Sequence, residues 1–230
     1  MVDVSLELGD VTLRATVTGA GPTVVLLHAG GEHRGVWAPV AARIAEHGLR
    51  TVAVDLRGHG ASSGTAARLR DIAGDVTEVV VGERAPVVVV GASLGGFAAI
   101  AALAEPFVAE RVAGLVLVDV VPDPDPERVR SWLAERGLRD QYAELTEDIL
   151  GQGSELLSVA ARLDMPILLV RGGAESPLSD DEADRLCMVN PRVTVAGVSG
   201  AGHLVARDAP AELARVLSTH AAGWLGIIPD

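Results

Sequence analysis

Gly91-Ala92-Ser93-Leu94-Gly95 is the stretch of this chain best suited to chemistry. It fits G-x-S-x-G, and its flanks supply the setting that the pattern needs. Four consecutive valines, Val87–Val90, enter it as a buried strand, and the small-residue run Leu94–Ala104 leaves it as a helix. A serine at so sharp a corner is forced into a strained backbone conformation, so the residues two before and two after it must lack side chains. Gly91 and Gly95 meet that condition. The hydroxyl then stands clear of the sheet, beside the unpaired amides that open the following helix, where developing negative charge is favoured. These are the requirements of acyl transfer by a nucleophilic serine.

The elements around this corner are legible from hydrophobic patterning. Val4–Leu8 and Val11–Val17 alternate apolar and polar residues on either side of Gly9-Asp10, which predicts an antiparallel hairpin. After Gly19-Ala20-Gly21-Pro22 the pattern changes to short continuous apolar runs: Thr23–Leu27, Thr51–Val54, Val87–Val90, Gly114–Val118, Ile167–Val170 and, less continuously, Val193–Val198. Runs of this kind mark strands covered on both faces, hence a parallel sheet between helices. The spacing predicts helices over Val36–His47, Ala67–Val81 and Asp208–Leu225, the first two ended by Gly48 and Gly82. Ser179-Asp180-Asp181-Glu182 reads as a capping box, which accounts for Asp180 without chemistry.

One connection is too long for a simple crossover. About 45 residues separate Asp119 from Met165; they open on Pro122-Asp123-Pro124-Asp125-Pro126 and continue as two or three amphipathic helices to Leu163. The expected organisation is an α/β core over residues 1–120 and 165–230, with a mostly parallel central sheet of about eight strands. Residues 121–164 form a small helical lid insertion above the strand ends.

Composition bounds the partners. The chain has 230 residues and a formal net charge of −12, with 31 acidic against 19 basic side chains, which disfavours nucleic acid and anionic membrane and leaves a small molecule as the expected substrate. Cys187 is the only cysteine, so no intrachain disulfide can form. Met1–Leu13 lacks the basic and continuous apolar regions of a secretory signal, and no apolar run is long enough to span a bilayer, so a cytoplasmic location is the expectation.

These motifs together resemble the α/β-hydrolase fold family, in the right order over nearly the whole chain. His28-Ala29-Gly30-Gly31 is similar to the family's H-G-x motif, with Ala29 where glycine is usual. Asp55-Leu56-Arg57-Gly58-His59-Gly60-Ala61-Ser62 is similar to its D-x-R-G-H-G-x-S loop, and the elbow, Arg171-Gly172-Gly173 and Gly200-Ala201-Gly202-His203 follow. The resemblance implies a nucleophile, acid and base in the chain order Ser, Asp or Glu, His. Only His203 and His220 follow both Ser93 and the acid candidates, and His220 falls within the final helix, so His203 is the expected base. The oxyanion donors implied are the backbone N–H groups of Leu94 and Gly30, while His28 and His59 are expected to bond loop backbone.

The acid departs from the family pattern. Where many relatives carry aspartate after the seventh strand, Arg171-Gly172-Gly173-Ala174-Glu175-Ser176-Pro177 places Ser176, which carries no charge. Asp119, at the end of the sixth strand, is the preferred acid; Glu175 is the alternative, and a site without an acid is the third reading. The activity implied is that of a serine hydrolase acting through an acyl-enzyme on a small or medium carboxylic ester, with no cofactor and no metal. Cofactor-free perhydrolysis or carbon–carbon cleavage by the same residues, and a non-catalytic ligand-binding relative, are the alternatives. Trp37 and Trp132 are candidates for the pocket wall, against a simple packing role.

Overall fold

Gly9-Asp10 closes a two-residue hairpin: β1 (Val2–Leu8) and β2 (Val11–Gly19) run antiparallel with Leu8 opposite Val11. The computed structural model describes residues 1–173 and 175–227. Within them follow β3 (Thr23–Leu27), β4 (Arg50–Val54), β5 (Val87–Ala92), β6 (Val112–Val118), β7 (Ile167–Arg171) and β8 (Val193–Gly197). They complete an eight-stranded sheet of order β1-β2-β4-β3-β5-β6-β7-β8, antiparallel between β1, β2 and β4 and parallel beyond. Every residue of β3 and β5 is buried, which is why their sequences are continuous rather than alternating.

Helices cover both faces. On one side α2 (Leu69–Gly82), α3 (Leu94–Ala102) and α7 (Gly153–Arg162) pack into a core that includes Leu69, Ile72, Ile100 and Leu156. On the other, α1 (Ala38–Glu46) and α10 (Pro210–Trp224) enclose Ile44, Leu213, Leu217 and the fully buried Trp37. The remaining helices are α4 (Pro106–Ala109), α5 (Pro126–Glu135), α6 (Ala143–Leu150), α8 (Asp180–Val189) and α9 (Val205–Asp208). The expected helix from Val36 is preceded by a 3-10 turn over Arg34–Trp37, and α1 begins at Ala38 with Pro39 in its first turn, where a missing N–H loses no bond. Similarly α2 begins at Leu69 rather than Ala67, because Arg68 is still extended at φ −134°. The capping box of α8 is present as read, with Ser179 and Glu182 bonding each other's backbone N–H.

Strand order fixes where loops can diverge. The chain leaves β3 for β4 on one side and returns to β5 on the other, so the loops after β3 and β5 part at the C-terminal edge and open a crevice there. Leu27 lies level with Gly91, and the Gly95 N–H donates to the His28 carbonyl at 3.2 Å, drawing the start of α3 against the loop after β3. Ser93 turns the corner at φ 46°, ψ −111°. A Cβ on Gly95 would stand 2.5 Å from the Leu27 carbonyl oxygen, and one on Gly91 would strike the Gly95 carbonyl. Gly74, by contrast, lies exposed within α2 with nothing near the position its Cβ would take.

These contrasts give a paired expectation for urea denaturation. Gly95→Ala should lower the unfolding free energy by at least about 2 kcal/mol through backbone collision. Gly74→Ala should raise it by roughly 0.5–1 kcal/mol, the gain of alanine over glycine in an exposed helix interior.

Candidate active site

Ser93 and Asp119 end neighbouring strands and share an unusual backbone. They are the two non-glycine residues with positive φ among the described residues, at 46° and 52°. Each is tied to the strand beyond it: the Ser93 N–H donates to the Val118 carbonyl at 3.3 Å, and the Asp119 N–H to the Val170 carbonyl at 2.7 Å. The corners of β5 and β6 are therefore held in step with β7.

The Asp119 carboxylate is fully buried and accepts three donors. The Gly172 N–H donates to Oδ1 at 2.7 Å, the Ser176 hydroxyl lies 2.8 and 2.7 Å from the two oxygens, and His203 Nδ1 lies 2.8 Å from Oδ2. His203 reaches this point from the loop between β8 and α9, with 9% of its side chain exposed. A carboxylate partner places a proton on Nδ1, which leaves Nε2 as the acceptor nitrogen of the neutral ring. Glu175 is exposed, and among the described residues no hydrogen bond joins it to His203.

Ser93, Asp119 and His203 line one cavity of about 120 Å³, together with Gly30 and Leu94. Among the described residues no hydrogen bond joins Ser93 Oγ to His203, the looser arrangement common in unliganded acid–base pairs. The opposite wall comes from α5 and α6, where Trp132, Leu133, Leu145 and Ile149 lie beside the charged Arg128. Trp132 meets the His203 ring edge to face with centroids 4.5 Å apart, and the Arg136 guanidinium lies 4.1 Å from the indole centre.

Beneath the loop after β3 lies a cluster of buried polar groups, His28, Asp55 and His59. The Leu56 N–H donates to His28 Nε2 at 3.0 Å, so His28 carries its proton on Nδ1, 2.8 Å from the Ala29 carbonyl. Burial holds this imidazole at a pKa of about 4, against 6.5 for a free ring. His59 bonds the Arg57 carbonyl at 3.0 Å and lies between His28 and a stacked Tyr142, and burial lowers its pKa also. Asp55 accepts the backbone N–H groups of Arg34 and Ala61 at 2.6 and 2.8 Å, closing the loop that carries His59.

The chain and its fold match known proteins. A family model described as the alpha/beta hydrolase family fits residues 24–216. The chain belongs to the alpha/beta hydrolase family. This alpha/beta hydrolase is 38% identical over 143 residues to the pimeloyl-[acyl-carrier protein] methyl ester esterase of Nitrosospira multiformis, covering 60% of this chain and 53% of that one. It is 36% identical over 129 residues to protein phosphatase methylesterase 1 of Mus musculus, covering 52% of this chain and 33% of that one. The chain thus spans about half the length of the first and a third of the second. Over 252 residues it is 24% identical to the 2-(acetamidomethylene)succinate hydrolase of Mesorhizobium japonicum, covering 89% of this chain and 90% of that one. In fold it is similar to the thioesterase domain from the curacin biosynthetic pathway, with a TM-score of 0.76 at 23% identity over 95% of this chain and 99% of that one. An esterase from Exiguobacterium antarcticum is similar at a TM-score of 0.77 and 17% identity, over 96% of this chain and 99% of that one.

Of the positions singled out in the sequence of this alpha/beta hydrolase, Ser93, His203, Asp119, Gly30 and Leu94 meet at one cavity, whereas Trp37 lies in the core away from it and Trp132 lines it. Two contributors carry no sequence signal of their own. Ser176 and Gly172 bond Asp119, and only the position of Ser176 relative to the family pattern pointed to that loop. The buried histidines make a prediction about pH. An unfolded chain protonates His28 below about 6.5 while the folded chain resists until about 4, so stability falls as pH drops through that window, with His59 acting in the same direction. Urea titrations should show a loss of roughly 2–3 kcal/mol from His28 between about pH 7 and pH 4.5, and His28→Asn should flatten the curve by that amount.

Proposed function

We propose that this protein is a serine-dependent hydrolase that cleaves a small or medium carboxylic ester through an acyl-enzyme. The observation that carries the reading is the His203 Nδ1 to Asp119 Oδ2 bond of 2.8 Å, in the cavity onto which Ser93 opens. The names of the methyl ester esterase and methylesterase relatives agree with ester chemistry.

In this reading Ser93 Oγ attacks the ester carbonyl as His203 Nε2 takes the hydroxyl proton, and Asp119 stabilises the imidazolium and fixes the ring. The carbonyl oxygen becomes an oxyanion held by the N–H groups of Leu94, at the start of α3, and Gly30. His203 then delivers its proton to the departing alkoxide. Water, deprotonated by the same nitrogen, attacks the acyl-enzyme and restores Ser93 with release of the acid. Ser176 and Gly172 act on the ring through Asp119: their donors hold that buried carboxylate in place and aim it. Residues 121–164 serve as the lid, since α5 and α6 from that segment complete the cavity wall.

A fluorophosphonate should label the wild-type protein rapidly and fail to label Ser93→Ala, as followed by intact mass. A folded protein that does not react would instead indicate a binder without turnover. In steady-state kinetics on p-nitrophenyl esters, Asp119→Asn should lower kcat by about 10³–10⁴-fold and Glu175→Gln by less than about twofold. The reverse pattern would assign the acid to Glu175. Ser176→Ala should lower kcat by about tenfold, the worth of one hydrogen bond to a charged group.

A further inference from the structure

The charges on the lid side of the cavity restrict what the site accepts. Along α5, Asp125, Arg128 and Trp132 all line the cavity, and Trp132 is the residue in contact with His203. At 1.5 Å per residue, Arg128 and Asp125 lie about 6 and 10 Å farther along the helix axis than Trp132. The charged cluster therefore stands away from the residue that touches His203, in the part of the wall that the far end of a bound substrate would face.

Among the described residues Arg128 is the one arginine or lysine that lines the cavity, and it is engaged. Its Nη1 lies 2.7 Å from Glu182 Oε2 and 3.3 Å from the Pro177 carbonyl, while Nη2 is 4.0 Å from Asp125. Glu182 is almost wholly buried. Burial disfavours its charge, but hydrogen bonds from Ser179 and the Asp125 N–H, with the charge of Arg128, outweigh this and hold its carboxyl below the usual range. Glu182 has four donors: the backbone N–H groups of Asp125 and Ser179, the Ser179 hydroxyl and Arg128. An incoming carboxylate would thus meet two anions and a guanidinium already neutralised, among apolar walls.

The cavity also favours short groups. Its inner volume of about 120 Å³ is less than the roughly 150 Å³ that holds a benzene ring, so a short acyl chain fits within it while a longer one must extend through its open side. We infer that the site takes a short, uncharged apolar acyl group, and that the Arg128–Glu182 pair rejects acyl groups ending in a carboxylate. This rests on the serine hydrolase reading and narrows it.

The test compares two methyl esters of equal acyl length, methyl hexanoate and monomethyl adipate, with p-nitrophenyl hexanoate and dodecanoate alongside. Fluorophosphonate labelling is run on the same preparation. The expected kcat/KM for methyl hexanoate exceeds that for monomethyl adipate by about 100-fold or more, and hexanoate exceeds dodecanoate by about tenfold or more. In Glu182→Gln, which leaves Arg128 without its buried anion, the hexanoate-to-adipate ratio should fall at least about fivefold. Comparable turnover of the two methyl esters in a protein that labels at Ser93 overturns this inference and leaves the hydrolase reading intact. An unchanged ratio in Glu182→Gln removes the role given to the pair. Absence of both labelling and ester turnover overturns the hydrolase reading and this inference together.

Discussion

A serine backbone at φ 46° and ψ −111° is of order 1–3 kcal/mol less favourable than an ordinary conformation, and the surroundings of Ser93 exist to hold it there. Gly91 and Gly95 let two stretches of backbone touch that no side chain could separate. The Ser93 N–H is bonded to the end of β6, and that of Gly95 to the loop after β3, so the corner cannot relax without breaking the register of its neighbours on both sides. The all-buried strands β3 and β5 provide the rigidity that this demands.

Asp119 poses a second cost, a carboxylate removed from water, and the structure offsets it with donors gathered from separate elements. Gly172 and Ser176 come from the chain after β7, and His203 from the chain after β8. One buried charge thereby joins the ends of three strands. The histidines under the neighbouring loop follow the opposite strategy: burial keeps them neutral, both nitrogens of His28 bond backbone groups, and His59 bonds backbone through Nδ1.

What could be read in advance follows from how local each determinant is. The hairpin at Gly9-Asp10, the buried strands and the capping box at Ser179 are set by a few adjacent residues, so their pattern is complete in the sequence. Ser93 was visible because the strain it bears demands glycine at fixed offsets. Trp132 could be named only as a candidate beside the buried Trp37, and Tyr142 not at all, because amphipathic spacing tells which face of a helix is covered and not what covers it. The Arg128–Glu182 pair spans 54 positions, and an arginine and a glutamate so far apart carry no mark of their partnership.

Ser176 stands where the family pattern leads one to expect an acid, and its hydroxyl reaches the carboxylate that Asp119 extends from the adjoining strand. Two branches of the backbone thus lead to one locus beside the imidazole. A second carboxylate there would set like charges against each other in a dry interior, whereas the neutral Ser176 hydroxyl donates to the anion that Asp119 supplies. A search pattern that requires an acid downstream of β7 passes over this chain, although a buried carboxylate does meet the His203 ring, arriving instead from the end of β6.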